Sequence, residues 1–321
     1  MIRFLWVTDP WDTLDHRRDT TLRLIEESVT LGYENHWCDV KSIRLLTNRV
    51  LLEAREVQGV FPGRSAKDFK LAAPLTVSPT TFTQIHYRVD PPVDLAYLHP
   101  LQLLALGVRK KPSSEIVNSA SALFSANEKM EAALLGELMP ASLVSGQKNV
   151  LREFGIEQKK TILKPLFQAQ SNGIELLDWD TPAELEKAEH SISAATDHFQ
   201  RPILLQRYLP GIAQGEQRLW FLNGKLLAVA RKKPKSGEVV INMDQGGSLV
   251  ATQLNAHEIK ASKQIGKRLR ARKIRLAAVD LIEGYVTDFN LTSPGLLTPM
   301  ETLLGRNLAR PIIQSLALPW K

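Results

Sequence analysis

Three oxygen-bearing side chains in the last fifth of the chain have the types and spacing of a magnesium site. Asp288 and Asn290 lie two residues apart in a stretch that alternates apolar and polar residues from Gly284 onward, which predicts a strand with both side chains on one face. Asp280 ends the preceding apolar run, and a tight turn at Glu283-Gly284 would bring it alongside. Two carboxylates and an amide carbonyl suit Mg²⁺ held jointly with phosphates. For spacing alone, a solvated turn with a capping Asn is an equally open interpretation.

One buried lysine and one basic loop are further candidates for binding an anionic ligand. Lys164 lies inside the apolar run Thr161-Ile-Leu-Lys-Pro-Leu166, where a buried charge needs a partner, and a triphosphate is a suitable one. A loop near the start of the chain contains His16, Arg17 and Arg18. These three side chains either contact a carboxylate-bearing substrate or are exposed loop charges, and the sequence leaves both interpretations open.

The start of the chain predicts a sheet that would position such groups. A buried strand is predicted from Ile2 to Val7, a helix capped by Asp19 follows, and a second strand runs through Trp37. This β-α-β order is typical of an open, parallel, Rossmann-like sheet. Such sheets bind ligands beyond the carboxyl ends of their strands, where Asp9 and the loop to Asp19 would lie.

Composition excludes several classes of protein. The 321 residues can bury a large core, and no apolar run reaches the ~20 residues that span a bilayer. The single cysteine, Cys38, rules out an internal disulfide framework and indicates a reducing cytoplasm, with Cys38 itself a buried structural thiol. We therefore expect a cytoplasmic protein without a membrane partner.

The formal net charge of +7 raises the question of nucleic acid. The densest basic run, 260–275, carries eight Lys or Arg and no acid. Asn255 and Glu258 have the spacing of a capping box, so a helix is predicted there. Its inward face is predicted to contain Ile259, Gln264, Ile265 and Leu269, with the cations solvated on the outer face. The run contains no stacking aromatic residue and no nucleic-acid-binding motif, and we exclude nucleic acid as the main partner.

Several segments resemble one known family. The segment Thr287-Asp-Phe-Asn-Leu-Thr-Ser-Pro294 is similar to the Thr-Glu-Ile-Asn-Val-Thr-Ser-Pro signature of bacterial glutathione synthetases, which are ATP-grasp ligases. Further segments of the family occur in the family's order and at about its spacing: Val7-Thr-Asp-Pro10, Arg88-Val-Asp-Pro-Pro-Val-Asp94, Asn127-Glu-Lys129, Ile162-Leu-Lys-Pro-Leu166 and Gln206-Arg-Tyr-Leu-Pro210. On these residues the chain is identified as a member of that family.

The resemblance implies an architecture and a reaction. It implies an α/β protein with a Rossmann-like pre-ATP-grasp domain at about residues 1–122, followed by an ATP-grasp domain at 123–321. Within the latter, a mobile lid would occupy about 123–202 and a catalytic part 203–321. The family uses ATP and Mg²⁺ to join γ-glutamylcysteine to glycine, and it tends to form homotetramers.

The resemblance also assigns roles to single residues of this chain. Arg218 would stabilise the tetrahedral intermediate, and a helix starting at Asn127 and continuing through Leu135 would present Lys129. The nucleotide would be held by Lys129, Lys164, Arg207, Tyr208, Leu209, Glu216 and Lys232. Asp280, Asp288 and Asn290 would hold Mg²⁺, and Arg88, Arg18 and Ser293 would contact the peptide acid.

The chain departs from the family at two places. Where the family has an acidic residue and a glycine-rich loop that closes over the phosphates, this chain reads Phe167-Gln-Ala-Gln-Ser-Asn-Gly173. Glycine permits positive φ and close backbone approach, and side chains restrict both. Val240 stands where the family has an active-site arginine. These departures predict incomplete lid closure and weak or absent glutathione formation despite nucleotide binding.

Three functions therefore remain open from the sequence. The first is a glutathione synthetase-type carboxylate–amine ligase. The second is a catalytically weakened ATP-grasp homologue that binds a ligand or a partner protein. The third is a ligase with a changed acid substrate, because losing an arginine is compatible with losing a substrate carboxylate.

Overall fold

The predicted α/β fold class is confirmed. The computed structural model describes residues 2–60, 68–109, 111, 113–168, 171–235, 237–238 and 241–320. Within these residues the strands form three sheets, one of them with parallel neighbours and two wholly antiparallel. Helices pack against all three sheets.

The first sheet contains the predicted Rossmann-like core. Its strands are β1 (Arg3–Thr8), β2 (Glu34–Asp39), β3 (Arg44–Leu46), β4 (Arg49–Val60), β5 (Phe69–Leu71), β6 (Leu75–Val77), β7 (Gln84–Tyr87) and β8 (Glu115–Val117). β2, β1, β7 and β8 are parallel neighbours in that order, and β4 adds to β2 in the antiparallel direction. The helices of this part are α1 (Thr20–Thr30), α2 (Leu95–Val108) and α3 (Ala120–Ser125). As predicted, the Asp19 carboxylate caps α1 by accepting a bond of 2.8 Å from Leu22 N.

The second sheet is small and has a core of its own. It consists of β9 (Ser142–Ser145), β10 (Lys160–Pro165), β11 (Glu175–Asp178) and β12 (Ile203–Arg207), in the spatial order β11-β10-β12-β9. Two helices cover it, α4 (Lys148–Gln158) and α5 (Pro182–Ala195). Leu151, Leu163, Trp179 and Ile192 belong to the separate apolar cluster between them.

The third sheet carries the predicted metal-site stretch. Its strands are β13 (Glu216–Leu222), β14 (Lys225–Lys233), β15 (Ser248–Val250), β16 (Leu276–Ile282) and β17 (Tyr285–Asn290), and the accompanying helices are α6 (Ala256–Ala271), α7 (Leu297–Leu304) and α8 (Ala309–Leu316). Its spatial order is β15-β14-β13-β16-β17. The predicted tight turn at Glu283-Gly284 is present, and a second hairpin turn lies at Asn223-Gly224. The turn residues Asn223 and Gly224 have φ of 50° and 71°, and Glu283 and Gly284 have 53° and 82°, the positive values of type I′ turns.

One apolar cluster joins the first and third sheets. Phe4 and Trp6 of β1 belong to the same buried cluster as Trp220 of β13 and Ile312 of α8. The first sheet and the third sheet therefore share a core, whereas the second sheet does not belong to it. None of the helices in the described part of the chain is long and apolar enough to cross a membrane.

Two expectations about helices were wrong. The segment after Asn127 is a turn followed by a 3₁₀ helix, Glu131–Leu138, because the Asn127 carboxamide accepts from Lys129 N at 3.0 Å and competes with helical bonding. In α6, Ile259 is 45% exposed and Gln264 is also exposed, so neither faces inward, whereas Ile265 and Leu269 are buried as predicted. The capping-box residue Glu258 is buried in place of Ile259, where it accepts a bond of 2.6 Å from Gln217 Nε2.

Candidate active site

Strand register in the third sheet brings the charged side chains together. Arg218 on β13 is the register partner of Asp280 on β16, and Asp280 is in turn the partner of Asp288 on β17. On the other side of β13, Glu216 is paired with Lys232 of β14. Directly opposed residues in antiparallel strands have neighbouring side chains. The hairpin that was predicted to align Asp280 with Asp288 therefore exists.

Asp280 is held by two cations. Both of its oxygens accept from the Arg218 guanidinium, at 2.9 Å from Nε and 2.6 Å from Nη2, and Lys232 Nζ donates at 2.9 Å. Only 3% of the Asp280 side chain is exposed. Burial alone would raise the pKa of Asp280, but the charges of Arg218 and Lys232 outweigh it and hold the pKa well below the ordinary range. The carboxylate is therefore ionised at any ordinary pH.

Asp288 is held by a third cation. Lys129 Nζ contacts both oxygens of Asp288, at 3.0 and 2.9 Å. Although burial would lower the pKa of Lys129, the charges of Asp288 and Glu128 raise it above its ordinary value. Lys129 therefore remains a cation, and the two predicted metal-binding carboxylates are both paired with predicted phosphate-binding cations.

Lys164 differs from the other cations because its partners are neutral. Its Nζ donates to Gln206 Oε1 at 3.0 Å and to the Thr287 carbonyl at 2.9 Å. Burial lowers its pKa. A buried ammonium held only by neutral acceptors has unsatisfied attraction for an anion, so this position favours phosphate. Thr287 also ties Glu216 to the site, donating from Oγ1 to Glu216 Oε1 at 2.6 Å.

These groups line a cavity of about 770 Å³ at the junction of the three sheets. All the predicted site residues except Arg88 line it: Arg18, Lys129, Lys164, Arg207, Tyr208, Leu209, Glu216, Arg218, Lys232, Asp280, Asp288, Asn290 and Ser293. Arg88 is 6% exposed, and its guanidinium donates to Thr21 Oγ1 at 3.1 Å and to the Pro294 carbonyl at 3.0 Å. Arg88 therefore does not line the cavity in this structure. It holds the loop of Ser293 through the Pro294 carbonyl.

One end of the cavity is suited to a planar apolar ring. Leu209, Ile162 and Ile282 line this end together with Tyr208. The Tyr208 N–H donates to Lys160 O at 3.0 Å, so recognition of a ring by that N–H would require breaking a backbone bond. Arg207 places its guanidinium 5.5 Å from the centre of the Tyr285 ring.

A further part of the cavity, its acidic end, carries carboxylates. Asp9, Asp19 and Asp90 line it, and Arg18 is bonded to Asp15 at 2.9 Å. Burial and the charge of Asp19 raise the pKa of Asp90 to about 6, against the lowering effect of its hydrogen bond with Ser293. This end therefore places three carboxylates, with the pKa values of Asp19 and Asp90 raised mainly by burial, in the same cavity as the predicted substrate residue Ser293.

The divergent loop also reaches the cavity. Gln168, Ser171 and Asn172 line it, and Ser171 Oγ donates to the Ile241 carbonyl at 3.1 Å. Ser171 has φ of 63°, a value that favours glycine. Residues 169, 170 and 240, on which two of the noted departures fall, lie outside the described residues.

Sequence reasoning missed three contributors to the site, which are Glu128, Gln206 and Thr287. Each lies in one of the segments that resemble the family, but the predicted roles there went to neighbouring residues such as Lys129, Arg207 and Asp288. The signal that could have found Gln206 is its place inside an apolar strand, because a buried amide requires a partner. Glu128 offers no such signal, since its partners are 163 and 164 residues away.

The donor set fits magnesium shared with a nucleotide. In the described part of the chain, no three His, Cys, Asp or Glu side chains are grouped to hold a metal by themselves. Asp280, Asp288 and Asn290 supply a smaller set of hard oxygen ligands on one cavity wall, with Asn290 Nδ2 3.3 Å from Asp280 Oδ2. Mg²⁺ is commonly held by one or two carboxylates together with substrate phosphates.

Solved structures of similar fold are ATP-grasp ligases. D-cycloserine synthetase DcsG is similar with a TM-score of 0.69 and 16% identity, covering 98% of both chains. ATP-grasp ligase PsnB, in a complex with its minimal precursor, Mg and ADP, is similar with a TM-score of 0.61 and 15% identity over 98% of this chain and 96% of that one. These similarities show that the fold is that of the ATP-grasp ligases.

Sequence comparison gives the family. The model of the prokaryotic glutathione synthetase N-terminal domain matches residues 2–123, and that of the family's ATP-grasp domain matches residues 128–305. Glutathione synthetases of Prochlorococcus marinus (strain MIT 9313) and Nostoc sp. (strain PCC 7120) are 27% and 28% identical, and the matches span 98% of this chain in both cases and 98% and 97% of the relatives. The chain belongs to the prokaryotic glutathione synthetase family and is an ATP-dependent ligase that uses ATP with Mg²⁺.

Proposed function

We propose that this enzyme joins the carboxylate of γ-glutamylcysteine, or of a related acid, to the amine of glycine through an acyl phosphate. The observation that carries the proposal is a single cavity whose lining includes both the predicted phosphate-binding cations and the acids Asp9, Asp19 and Asp90. The reactive carboxylate of γ-glutamylcysteine is on its cysteine, and its glutamyl end carries both an ammonium group and a second carboxylate. The ammonium group would match Asp9, Asp19 and Asp90, and the second carboxylate would match Arg18.

The proposed chemistry has two steps. A carboxylate oxygen of the acid attacks the γ-phosphorus of ATP, the bond to ADP breaks, and an acyl phosphate forms. The glycine amine then attacks the acyl carbon, inorganic phosphate leaves with the electron pair of the broken C–O bond, and the amine proton passes to phosphate or solvent. Mg²⁺, when bound, neutralises phosphate charge and aligns the transfer.

The residues of the chain have separate roles in this proposal. Lys129 and Lys164 hold phosphates, and Asp280, Asp288 and Asn290 hold the metal. The guanidinium of Arg218 is fixed in place by Asp280. In the proposal it stabilises the negative charge that develops on the carbonyl oxygen when the amine attacks the acyl carbon. Glu216 and Lys232, 2.6 Å apart, hold the nucleotide side of the site. Ser293 and Arg18 contact the acid, and Arg88 acts from behind the Ser293 loop.

The acyl phosphate provides a direct test. Incubation with ATP, Mg²⁺, γ-glutamylcysteine and hydroxylamine should yield a hydroxamate, and replacing hydroxylamine with glycine should yield the tripeptide by mass spectrometry. The lost loop glycines predict a turnover well below the ~10 s⁻¹ of a typical enzyme. Hydroxamate from other acids but not from γ-glutamylcysteine would transfer the proposal to a different acid. No hydroxamate from any acid would overturn it.

A catalytically weakened homologue that binds a ligand or partner is the second candidate. The observation in its favour is the loop, where Gln168, Ser171 and Asn172 carry side chains into the cavity. This candidate predicts nucleotide binding without phosphate release in the presence of any acid. The hydroxylamine experiment therefore separates the two candidates.

A further inference from the structure

Glu128 connects the segment before the 3₁₀ helix to the end of the metal-site strand. Its Oε1 accepts three hydrogen bonds, from Leu291 N at 2.5 Å, from Thr292 N at 3.0 Å and from Thr292 Oγ1 at 3.1 Å. Its own carbonyl accepts from Phe289 N at 3.0 Å. The bonds of one residue therefore hold the backbone on both sides of Asn290.

The residues on either side of Glu128 extend the same connection. Lys129 binds the Asp288 carboxylate, and the Asn127 side chain donates to the Leu166 carbonyl at 2.9 Å, just beyond β10. The segment 127–129 thus contacts the strand that carries Asp288 and Asn290 and also the strand that carries Lys164. Segment 127–129 therefore connects the metal-site strand of the third sheet to the end of the Lys164 strand of the second sheet.

We propose that Glu128 is a positioning residue, which fixes the end of β17 so that Asp288 and Asn290 present their oxygens to Mg²⁺ together. β17 lies at the edge of its sheet, with β16 as its only strand neighbour among the described residues. The ladder with β16 therefore supports one side of β17, and Glu128 supports the other. Outer partners of metal ligands fix ligand orientation in the same manner.

The charge of Glu128 does not make it a metal ligand in this arrangement. Glu128 Oε1 accepts from three donors, and two of them are backbone N–H groups of the segment after β17, so the proposal assigns this oxygen to holding the backbone. Its function in the proposal is carried by hydrogen bonds. An amide oxygen in the same place can accept the same bonds, whereas a methyl group cannot.

The proposal rests on the binding of nucleotide with Mg²⁺ and not on the identity of the acid or the amine. ADP is therefore the probe, and its Kd is measured by calorimetry with saturating Mg²⁺ and again in EDTA. Glu128→Ala should weaken ADP binding in Mg²⁺ by about 10- to 100-fold, the range seen for outer partners of metal ligands. In EDTA it should change the Kd by less than threefold. Glu128→Gln should recover most of the lost affinity.

Glu301 offers a matched control outside the cavity. Its Oε1 accepts from Leu308 N at 2.7 Å and from Ala309 N at 2.9 Å, so it also holds a backbone segment through one carboxylate oxygen. Glu301→Ala should lower the melting temperature and leave both Kd values unchanged. If Glu128→Ala does not fold, Glu128→Asp replaces it, because a side chain one methylene shorter cannot reach Leu291 and Thr292 together.

Two results would overturn the proposal. One is a Glu128→Ala protein, or the Asp variant in its place, that is less stable but binds ADP with wild-type affinity in Mg²⁺. The other is an equal loss of affinity in Mg²⁺ and in EDTA, which would indicate a general collapse of the cavity. Neither result depends on whether γ-glutamylcysteine is a substrate, so the proposed reaction and this inference fail independently.

Discussion

Asp280 and Asp288 are the same residue type at opposed register positions, but their surroundings differ. Asp280 is 3% exposed and has two cationic partners, whereas 24% of the Asp288 side chain is exposed and its partner is Lys129. Removing the charge of a buried carboxylate leaves its cations uncompensated, which is far more costly than at a partly exposed site. By sequence the two aspartates have the same expected role as metal ligands, whereas the structure distinguishes their surroundings.

We predict that Asp280→Asn lowers the free energy of unfolding by about 3–5 kcal/mol, because it leaves Arg218 and Lys232 buried without an anion. Asp288→Asn should cost about 1 kcal/mol, because solvent screens part of the interaction. Urea unfolding of the ligand-free protein at pH 7.5 measures both values. Asp178→Asn, which breaks an exposed pair with Lys160, is the control and should have almost no effect. Equal losses at the two positions would contradict this account.

The pH dependence of stability follows from the ion pairs of Asp280 with Arg218 and Lys232. The pKa of Asp280 is depressed in the folded protein, so the stability it contributes is complete above its ordinary pKa of 3.8 and is lost only as the pH falls below that value. The difference in the free energy of unfolding between wild type and Asp280→Asn should therefore be constant between pH 6 and 8. Urea unfolding of both proteins at several pH values in this range measures it.

At the scale of elements, the loop at 167–173 contrasts with the strands that flank it. The apolar run Thr161–Leu166 of the sequence contains most of β10, and β12 pairs with it. The loop contains Ser171 in a left-handed conformation, where a side chain costs roughly 1 kcal/mol relative to glycine. Its single described side-chain bond, from Ser171 to Ile241, links it to the segment before β15.

Restoring the family's loop should increase turnover. The variant carries Phe167→Asp, Gln168→Gly, Gln170→Gly and Ser171→Gly, and its backbone N–H groups become free to approach phosphates. We expect faster ATP-dependent phosphate release than wild type, measured with γ-glutamylcysteine and glycine, at unchanged ADP affinity in EDTA. Ser171→Gly alone is the partial control. If neither loop version releases phosphate, the missing arginine at position 240 is the better explanation of low activity.

Strand-level features were largely predictable and long-range partners were not. The turn at Glu283-Gly284 and the cap at Asp19 depend on neighbours within a few residues, so spacing reveals them. Lys164 was correctly expected to need a partner, but the partners Gln206 and Thr287 lie 42 and 123 residues away. Similarly, the inward face of α6 was misassigned at Ile259, because the pairing of Glu258 with Gln217 on β13 is a tertiary contact.

For the molecule as a whole, the shared core fixes the acidic end of the cavity relative to the metal-site strands. β1 and α8 contribute to one apolar cluster with β13 and β16, whereas the sheet that carries Lys164 has a separate cluster. The second sheet and its helices extend from β9 to β12, residues 142–207, whereas Ala132 and Leu138 pack in a cluster with the third sheet. The lid expected at about 123–202 stays a prediction, and we expect any movable part to follow the bounds of the second sheet.

The charge balance of the cavity predicts strong coupling between metal and nucleotide. Mg²⁺ alone must displace Lys129, Arg218 or Lys232 from the carboxylates with no anion to receive them. We therefore expect millimolar Mg²⁺ alone to leave the melting temperature nearly unchanged, and ATP with Mg²⁺ at about 100-fold its Kd to add ~2.7 kcal/mol of stability. Differential scanning fluorimetry with each ligand separately and together measures this. A shift from Mg²⁺ alone as large as that from the pair would refute the coupling.

The internal pairing of the cavity charges also bears on how such a protein changes over evolutionary time. Arg218, Lys232 and Asp280 satisfy one another within the protein, so selection for folding alone would preserve them in a descendant that had stopped catalysing. Among the described residues of the loop at 167–173, selection for folding has less to preserve, because Ser171 makes the one side-chain hydrogen bond found there, to the Ile241 carbonyl. Drift is therefore expected to appear first in the loop, where this chain differs from its family, and the retained charged motif reports on ancestry and stability more than on activity.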